Sequence, residues 1–303
     1  MFEDLLSLNG LSLDRLRNFC LIAQHGSLTQ AAGGEPGRMA LFSRQVKELE
    51  TYFGVELRRR SGKGIALTEA GRQLAALAQQ QFAGLEDFRR TCQNQPAEIS
   101  LASGNSLLEW MLLPRCALLR RDLPGVHFRL FGQRTADVVS GLAQHHLDFG
   151  VLRQDAVPAS LRTRKLPPLS YALFVPRRLM RSLTEANLRE RMPGLPIATS
   201  AGGQFRERLE SDAQKAGWPL RIELSCSSFT QAARAAESGA YAAVLPRIAA
   251  TQLSGSTIQC YDLPFLKAYL RPLVLAWHPR TERVRSVLPK VRDCLVPLLH
   301  GKE

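Results

Sequence analysis

The sequence predicts an α/β protein overall, with an all-helical N-terminal part, one long helix, and a larger C-terminal part that alternates strands and helices. Three observations support this prediction. Up to about residue 93 the apolar residues recur at helical spacing. Beyond Gln95 and Pro96 short apolar runs alternate with helical stretches, which is typical of open sheets covered by helices. The length of 303 residues fits two or three domains.

The composition is that of a protein with a hydrophobic core in a reducing compartment. Hydrophobic residues make up 45% of the chain, and its six cysteines are scattered without a Cys-x-x-Cys pair, which disfavours disulfide and metal frameworks. No signal-peptide pattern is present, and no apolar stretch approaches the roughly 20 residues that a membrane helix needs. We therefore expect a cytoplasmic protein with no cofactor and no membrane association.

The net charge of +13 favours a nucleic-acid partner, although most of the excess lies outside the N-terminal part. Residues 1–92 carry 12 Lys and Arg against 10 Asp and Glu, whereas the remainder carries 28 against 17. The run from Arg58 to Lys63, with no acidic residue between Glu56 and Glu69, is the more specific basic feature. The total charge predicts attraction to DNA at low salt but does not locate a site.

Residues 27–71 predict two helices joined by a tight turn. Ser27 and Gln30, three positions apart, form a capping box that starts the first helix. Glycines and a proline between positions 33 and 37 break the chain, and a second helix is predicted from Arg38. One apolar face of this helix holds Phe42, Val46, Leu49 and Phe53. This is the helix-turn-helix plan, in which the second helix enters the DNA major groove.

A basic β-hairpin is predicted directly after the second helix. Two short apolar runs at 55–57 and 65–67 enclose the segment RRRSGKG, with glycines to turn the loop. Such a wing lays basic side chains on the DNA backbone or in the minor groove. The alternative is a solvated basic loop, but the position next to a helix-turn-helix favours DNA binding.

A long helix follows, with Thr68 as a suitable N-cap and an expected end near Gln93. Its apolar residues alternate by four and three, which predicts a coiled-coil seam. The seam residues are Leu74, Ala78, Gln81, Leu85 and Phe88, continuing to Cys92. The same pattern fits a helix that packs on its own chain.

These stretches together resemble the N-terminal domain of LysR-type transcriptional regulators. The resemblance is carried by LRNFCLIAQHGSLTQAA, SRQVKELETYFGVELRRR and LTEAG, in the order helix, turn, helix, wing and linker. The turn and the opening of the second helix depart from the family, because Glu35, Arg38, Met39 and Ala40 replace an apolar residue and a Ser/Thr-Gln-Ser/Pro run. The resemblance implies a sequence-specific DNA-binding regulator, while the base preferences of the family cannot be carried over.

DNA contacts are predicted in the helix-turn-helix and on the wing, with Ser43 and Arg44 on phosphates. The candidate DNA-binding residues are Ser27, Thr29, Arg38, Met39, Leu41, Ser43, Arg44, Lys47, Arg59, Arg60 and Lys63. The resemblance also implies that the long helix pairs two subunits and sets the spacing of their DNA-binding domains. A homo-oligomer, either a dimer or a tetramer, is therefore expected.

The region after residue 95 predicts two open, mostly parallel sheets, with the chain crossing between them near Leu169 and back near Tyr269. Helices are predicted between the strands at 107–121, 135–145, 204–216, 229–238 and 281–299. This region resembles the type 2 periplasmic-binding-protein-like effector domain of the same regulators, through LDFGV and the segment 239–246. The expected domains are 1–67, 68–94 and 95–303, the last with lobe I at about 95–169 and 270–303 and lobe II at about 170–269.

A ligand crevice is expected beyond the carboxyl ends of the strands, where helices begin. The segments SGNS, TSAGG and SCSSF lie there and offer hydroxyl and backbone N–H groups suited to a small anion. For each of them a Ser or Thr helix cap is the alternative interpretation. The candidate effector-binding residues are Ser103, Asn105, Ser106, Gln133, Arg153, Thr199, Ser200, Ser228 and Phe229.

We interpret the sequence as that of a regulator whose oligomer geometry is switched by a small anionic metabolite, with DNA and RNA polymerase as partners. No metalloprotease, Walker or nucleophile-elbow motif indicates an enzyme. His145, His146 and Asp148 fit a cationic helix end better than a metal site. Two alternatives stay open: a solute-binding or enzymatic α/β protein with an incidental helical N-terminus, and a DNA-binding protein that has lost metabolite control.

Overall fold

The computed structural model describes most of the chain. The described residues are 3–6, 10–61, 64–179, 183–184, 186–200, 204–253, 255 and 257–301. They form a helical N-terminal unit with a two-stranded hairpin, followed by two five-stranded sheets. Within these ranges no helix is both long and apolar enough to cross a membrane. The predicted DNA contact Lys63, the side chain of Arg60 and residues 201–203 of the TSAGG segment lie outside the described residues.

The described residues of the N-terminal unit form five helices and one hairpin. They are α1 (Glu3–Leu6), α2 (Leu13–His25), α3 (Leu28–Ala31), α4 (Pro36–Phe53), β1 (Arg58–Ser61), β2 (Gly64–Leu67) and α5 (Glu69–Cys92). The hydroxyl of Ser27 caps α3 by accepting the N–H of Gln30 at 3.4 Å, as the capping box predicted. The second helix begins at Pro36 rather than at Arg38, because proline suits the first helical position.

A single hydrophobic cluster holds α2 to α5 together. Phe42, Val46 and Leu49 of α4 are fully buried in it, which confirms most of the predicted apolar face. Phe53 is 37% exposed, so that face ends one turn earlier than predicted. Leu41, a predicted DNA contact, instead packs against the cluster.

The hairpin is fixed to α4 and to the end of α2. Arg58 to Arg60 lie in β1 and pair with β2, whereas the sequence had placed them in the loop. The carboxylate of Glu50 on α4 accepts the backbone N–H groups of Leu57 at 3.0 Å and Arg58 at 3.3 Å. The N–H of Ile65 donates to the carbonyl of Gly26, which ends α2 in a left-handed cap. The wing therefore has a defined orientation relative to α4.

The long helix α5 begins where predicted. The hydroxyl of Thr68 accepts the N–H of Gly71 at 3.0 Å and donates to the carbonyl of Glu56 at 2.6 Å. Gly71 lies directly against the carbonyl of Leu57, and a Cβ at this position would overlap that oxygen. The start of α5 is thus in backbone contact with Leu57, the residue that precedes β1 of the wing.

The C-terminal domain contains two sheets. The strands are β3 (Ala97–Ser103), β4 (Val126–Gly132), β5 (Phe149–Arg153), β6 (Arg162–Leu169), β7 (Tyr171–Pro176), β8 (Pro196–Ser200), β9 (Arg221–Cys226), β10 (Ala242–Pro246), β11 (Ile258–Tyr261) and β12 (Arg271–Trp277). Lobe I holds the sheet of order β4-β3-β5-β12-β6, and lobe II the sheet of order β11-β7-β10-β8-β9. The chain passes between the sheets at residues 170 and 270.

Helices cover both faces of each sheet. They are α6 (Asn105–Leu107), α7 (Cys116–Asp122), α8 (Thr135–Ala143), α9 (Leu188–Arg191), α10 (Gln204–Lys215), α11 (Phe229–Glu237), α12 (Ala250–Leu253), α13 (Pro279–Val284) and α14 (Val287–Leu299). A π-helical turn at Leu108–Leu112 and 3₁₀ turns at Leu113–Arg115, Gln154–Ala156, Met192–Gly194, Arg247–Ala249 and Pro264–Tyr269 complete the domain.

Three predictions for this domain were wrong. Each sheet has two parallel and two antiparallel pairings, so the sheets are mixed rather than mostly parallel. The single helix predicted over 107–121 is divided by the π-helical and 3₁₀ turns. The final helix is interrupted at Arg285 and Ser286, because the backbone of Arg285 is extended (φ −102°, ψ 98°) rather than helical.

The two lobes share a hydrophobic contact. Trp110 lies in the π-helical turn of lobe I, yet its side chain is buried in a cluster of lobe II residues that includes Ala172 and Phe174. Across the same contact the amide of Gln252 donates to the carbonyl of Glu109 at 3.3 Å. The two lobes are therefore held together at this point by buried side chains.

Candidate nucleic-acid interface and ligand cleft

The exposed face of α4 carries the strongest candidates for DNA contact. Arg38, Arg44 and Lys47 are exposed, and Arg44 is 71% accessible with only a loose pairing to Glu48 at 3.8 Å. The guanidinium of Arg38 lies 5.7 Å from the ring centre of Phe42, which orients it along the start of the helix. These cations are free to reach phosphates or base edges in a groove.

The other predicted residues of this motif have structural roles as well. Ser27 is the N-cap of α3, and Thr29 is exposed on that helix. Met39 and Leu41 are half-buried against the hydrophobic cluster, so their apolar atoms support the fold more than they face solvent. We therefore assign the polar contacts to the exposed residues of α4.

The wing and α4 form one surface. Ser43 is half-buried and accepts a hydrogen bond from Nη2 of Arg58 at 3.2 Å, which joins the helix to β1. Arg59, the next residue on β1, is exposed. Arg58 was not among the predicted DNA contacts, since the sequence cannot reveal a hydrogen bond between residues 15 positions apart. The structure thus joins two cationic elements into one rigid patch.

The exposed stripe of the linker helix α5 differs from the predicted seam. Ala78 is buried within its own chain, and Leu74 packs against the N-terminal cluster, so neither can face a second subunit in this conformation. Leu77, Leu85 and Phe88 are 50%, 52% and 69% exposed, and Gln81 between them is exposed as well. The apolar stripe available for pairing therefore runs through Leu77, Gln81, Leu85 and Phe88.

The linker helix is also bound to lobe I of its own chain by a buried ionic network. Arg285 donates to both carboxylate oxygens of Asp87 on α5, to a carboxylate oxygen of Asp148, and to the carbonyl of Glu98. Asp148 in turn accepts the N–H and the hydroxyl of Ser100, each at 2.8 Å. Although burial lowers the pKa of Arg285, its bonds to the two carboxylates raise it above the usual value, so this residue stays charged.

Three histidines lie beside this network. The ring of His145 contacts Thr281 through Nδ1 at 2.7 Å, the side chain of Gln80 through Nε2, and the ring of His278 at 4.2 Å between centroids. The pKa of His145 is lowered to about 4. Burial is the main cause, and the positive charges of His278, Arg280 and His146 contribute in that order. Among the described residues no group of three or more potential ligands could hold a metal ion.

A cavity of about 1130 Å³ lies between α2, α5 and lobe I. Its wall includes Gln133, a residue predicted for the ligand crevice, together with Arg17 and Phe131. The side-chain oxygen of Gln133 is buried without a hydrogen-bond partner. The structure thus places this residue in the wall of a cavity at the junction of the domains.

The remaining candidate effector residues lie at the facing edges of the two lobes. The carboxyl ends of the parallel strands β3 and β5 hold Ser103 and Arg153, and those of β8 and β9 precede the helices α10 and α11. Asn105 is exposed and Ser106 is half-buried at the start of α6. This is the edge at which open α/β sheets bind ligands.

The hydroxyl groups at this edge differ in whether they are already bonded. Ser103 donates to the carbonyl of Val151 at 2.8 Å, and Ser228 caps α11 by accepting the N–H of Gln231 at 3.2 Å. Ser200 is buried, whereas Thr199 is fully buried and its hydroxyl has no hydrogen-bond partner. An unsatisfied buried hydroxyl is costly by about 1–3 kcal/mol, so Thr199 is the candidate most in need of a ligand.

Sequence reasoning missed four residues at this edge, because they lie at the start of antiparallel strands, on a helix or in an irregular turn. Tyr171 and Arg271 begin β7 and β12, Phe205 is the second residue of α10, and Tyr269 ends a 3₁₀ turn. Phe229, which was predicted, is the first residue of α11 and lies 5.6 Å from Tyr171 between ring centroids. The sequence did not predict that β7 runs antiparallel to β10 and β12 antiparallel to β5, and these directions bring the first two residues to this edge.

The chain matches two sequence profiles of one family. Residues 13–72 match the profile described as the bacterial regulatory helix-turn-helix protein of the lysR family, and residues 93–295 match the LysR substrate binding domain. The chain belongs to the LysR family. Its helix-turn-helix and its two-sheet C-terminal domain are the two parts that these profiles describe.

Relatives and solved structures agree with this membership. The chain is 22% identical over 265 residues to the uncharacterized HTH-type transcriptional regulator YgfI of Escherichia coli, covering 85% of this chain and 88% of YgfI. Its alignment with YnfL of the same organism is 28% identical and spans about half of each protein, 50% of this chain and 52% of YnfL. The LysR-family chain shares its fold with full-length OxyR from Pseudomonas aeruginosa, with a TM-score of 0.65, 18% identity and coverage of 96% and 95%. CrgA from Neisseria meningitidis gives a TM-score of 0.54, 18% identity and coverage of 96% and 99%.

Proposed function

We propose that this LysR-family chain is a cytoplasmic, non-enzymatic transcriptional regulator that binds specific double-stranded DNA through α4 and the wing. The observation that carries the proposal is the rigid cationic patch formed by Arg38, Arg44 and Lys47 with Arg58 and Arg59. An array of this kind releases counterions from phosphates and fixes the protein on the duplex. The regulators named among the relatives support this reading.

Self-association through the linker helix belongs to the same proposal. The stripe of Leu77, Gln81, Leu85 and Phe88 leaves three large apolar side chains in solvent within one chain. Pairing two such stripes would bury them and place two DNA-binding domains at a fixed separation, as two operator half-sites require. We propose a dimer as the basic unit, with further association to a tetramer.

The crevice between the lobes is proposed as the effector site. Thr199 carries the unpaired hydroxyl, while Ser228 and Phe229 begin α11 at the same edge. A small anion bound there would favour one relative orientation of the lobes, and the oligomer would present its DNA-binding domains or a surface for RNA polymerase differently. Differential binding to the two orientations is what couples the ligand to DNA.

A salt-titrated gel shift tests DNA binding. The full-length protein is measured against fragments tiled from the region upstream of its gene, beside the variants Arg44→Ala and Arg59→Ala. We expect competitor-resistant binding to one fragment, and each variant should lower the salt slope by about 1. Arg120→Ala, which removes an exposed charge on lobe I, is the control. Weak binding that is equal for all fragments and all four proteins would contradict the proposal.

A further inference from the structure

Four aromatic rings gather at the edge of lobe II that faces the crevice. They come from four different elements: Tyr171 from the start of β7, Phe205 from the start of α10, Phe229 from the start of α11, and Tyr269 from the last turn before the chain returns to lobe I. Because each lies at the end of its element, the four rings meet where the sheet stops. This placement puts an aromatic cluster beside the proposed effector site.

The rings support one another in a fixed arrangement. The centroid of Tyr171 lies 5.0 Å from that of Phe205 and 5.6 Å from that of Phe229, and the last two are 5.3 Å apart at 85°. Tyr269 is buried behind them, 5.5 Å from Phe205, and its hydroxyl donates to Asp212 at 2.8 Å. The other three rings are half-buried, so part of their apolar surface is still accessible. A rigid surface of this kind suits a flat, rigid ring, since aromatic pairs gain about 0.5–1.5 kcal/mol beyond area burial.

Two guanidinium groups of lobe I lie close to this cluster. Arg153 ends β5 and Arg271 begins the neighbouring strand β12, in which Leu273 pairs with Arg153. Both line a cavity of about 380 Å³, and Arg271 lies 6.0 Å from the ring centre of Tyr269. Burial raises the pKa of Tyr171, and the positive charges of Arg271 and Arg153 partly offset that rise. The two cations therefore act electrostatically on the ring that stands at the centre of the cluster.

The charge of this pair of arginines is not fully neutralised locally. Arg153 is 48% exposed and is paired with Asp155 at 3.6 Å, beyond hydrogen-bonding distance. Arg271 is half-buried and has its aromatic contact with Tyr269. Guanidinium groups bind carboxylates through two parallel hydrogen bonds, so a carboxylate on a ligand would satisfy this cationic corner. The unpaired hydroxyl of Thr199 adds a donor at the carboxyl end of β8.

We propose that the effector is a small aromatic carboxylate. Its ring lies on Tyr171, Phe205 and Phe229, its carboxylate is bound by Arg153 and Arg271, and Thr199 donates to a further acceptor on the ligand. The inference rests on the proposed effector site between the lobes and specifies the chemistry of its ligand. Aliphatic acids of equal charge lack the flat face, and uncharged aromatic compounds lack the group that the arginines bind.

Isothermal titration calorimetry of the full-length protein tests this ligand class. The probes are benzoate and phenylacetate, with cyclohexanecarboxylate as the saturated acid and benzyl alcohol as the uncharged ring. We expect at least one aromatic carboxylate to bind, with cyclohexanecarboxylate and benzyl alcohol at least tenfold weaker, which corresponds to about 1.4 kcal/mol. If neither aromatic acid binds, or if the saturated acid binds equally well, the ligand class is wrong.

Two variants and one control locate the site. Phe229→Leu removes a ring and Arg271→Gln removes a cation, and each should weaken binding of the aromatic acid at least tenfold. Phe131→Leu changes a half-buried ring of lobe I in the wall of the junction cavity and should leave binding unchanged. Unchanged affinity in both site variants would overturn the assignment. A gel shift of each variant without ligand tests DNA binding separately from ligand binding. If the DNA-binding proposal is wrong, the unaltered protein will also fail to bind DNA.

Discussion

Arg285 and Asp87 form a two-point ion pair across the junction between lobe I and the linker helix, with N–O distances of 2.6 and 2.8 Å. The same guanidinium reaches Asp148 and the carbonyl of Glu98, so it joins α5 to β3 and β5. Arg285 is 8% exposed, and its two carboxylate partners are 14% and 7% exposed. The linker helix and lobe I are therefore held together by a buried network rather than by chain continuity alone.

Removing Arg285 should destabilise the protein strongly. The change Arg285→Met keeps the length of the side chain but leaves Asp87 and Asp148 buried without a cation, at an expected cost of about 3–5 kcal/mol. Urea denaturation, followed by circular dichroism, measures the loss. Arg72→Met breaks an exposed pair with Glu69 and should cost much less, because solvent screens exposed charges. Equal losses in the two variants would show that the buried network does not stabilise the junction.

The stability of the protein should fall in mild acid because of His145. Its pKa in the folded protein is lowered to about 4, below the value of about 6.5 in the unfolded chain, so the unfolded state binds the proton first. The contribution of neutral His145 to the free energy of unfolding is complete above pH 6.5 and is lost as the pH falls towards 4. Allowing for partial exposure, we expect His145 to account for about 1 kcal/mol of the loss between pH 7 and pH 5.

Thermal unfolding at both pH values, for the unaltered protein and for His145→Gln, isolates this effect. Glutamine can still bond to Thr281 or Gln80 but does not titrate. The pH dependence should therefore be smaller in the variant. An identical pH dependence in the two proteins would assign the loss to other groups, such as His146 and His278, whose pKa values are also lowered by burial.

Two glycines of the N-terminal unit should respond in opposite directions to alanine. Gly71→Ala places a methyl group on the carbonyl of Leu57 and should cost about 1–3 kcal/mol, because backbone must move. Gly37→Ala, near the start of α4, meets open space and should stabilise by up to about 1 kcal/mol through helix propensity. Thermal unfolding without DNA compares them. If Gly71→Ala leaves the melting temperature unchanged, the start of α5 and Leu57 separate easily.

A charge on the exposed stripe of α5 should prevent self-association. Phe88→Glu replaces the most exposed aromatic side chain of the stripe with a group that is costly to bury unpaired. Light scattering coupled to size-exclusion chromatography should show a shift to a smaller mass. Leu113→Glu, at a site 44% exposed on lobe I, is the control that should keep the original mass. If Phe88→Glu keeps its mass and Leu113→Glu does not, the interface lies on lobe I.

Trp110 should contribute to the contact between the lobes. Trp110→Ala removes a large side chain from the lobe II cluster, and the cavity should cost about 3–5 kcal/mol. Trp218→Ala, which truncates a half-buried tryptophan on the edge of the other lobe II cluster, should cost less. Urea denaturation monitored by circular dichroism provides the comparison, because both variants lose the same indole. A smaller cost for Trp110→Ala would contradict a shared core.

The parts of the fold that local signals specify were predicted from the sequence. Ser27 and Thr68 cap helices because their neighbours follow the capping rules, and the spacing of Phe42, Val46 and Leu49 identifies a buried face. The strand β6 was missed because Arg162–Leu169 contains charged residues and two prolines, which are tolerated at a sheet edge and resemble a loop in sequence.

Contacts between distant residues could not be predicted in this way. The periodicity of α5 fits either a stripe through Leu74 and Ala78 or a neighbouring stripe through Leu77. Only the packing of Ala78 and Leu74 inside the chain shows that the stripe through Leu77 is exposed. The buried ion pairs of Arg285 join it to carboxylates 137 and 198 positions away. The aromatic cluster and the nearby arginines likewise depend on the directions of two strands: β7 is antiparallel to β10, and β12 is antiparallel to β5. The periodicity of apolar residues does not encode strand direction.

The insertion of lobe II into the chain between residues 170 and 270 has a mechanical consequence. Lobe I contains both connections to lobe II and is bound to the linker helix through Arg285, so lobe I, α5 and the DNA-binding domain share one frame of reference. A ligand that turns lobe II turns it relative to that frame, about the contact at Trp110. Within one subunit, lobe II is the part that moves, and lobe I, α5 and the DNA-binding domain stay fixed relative to one another. We therefore expect a ligand that reorients lobe II to alter DNA geometry through contacts between lobe II and a neighbouring subunit.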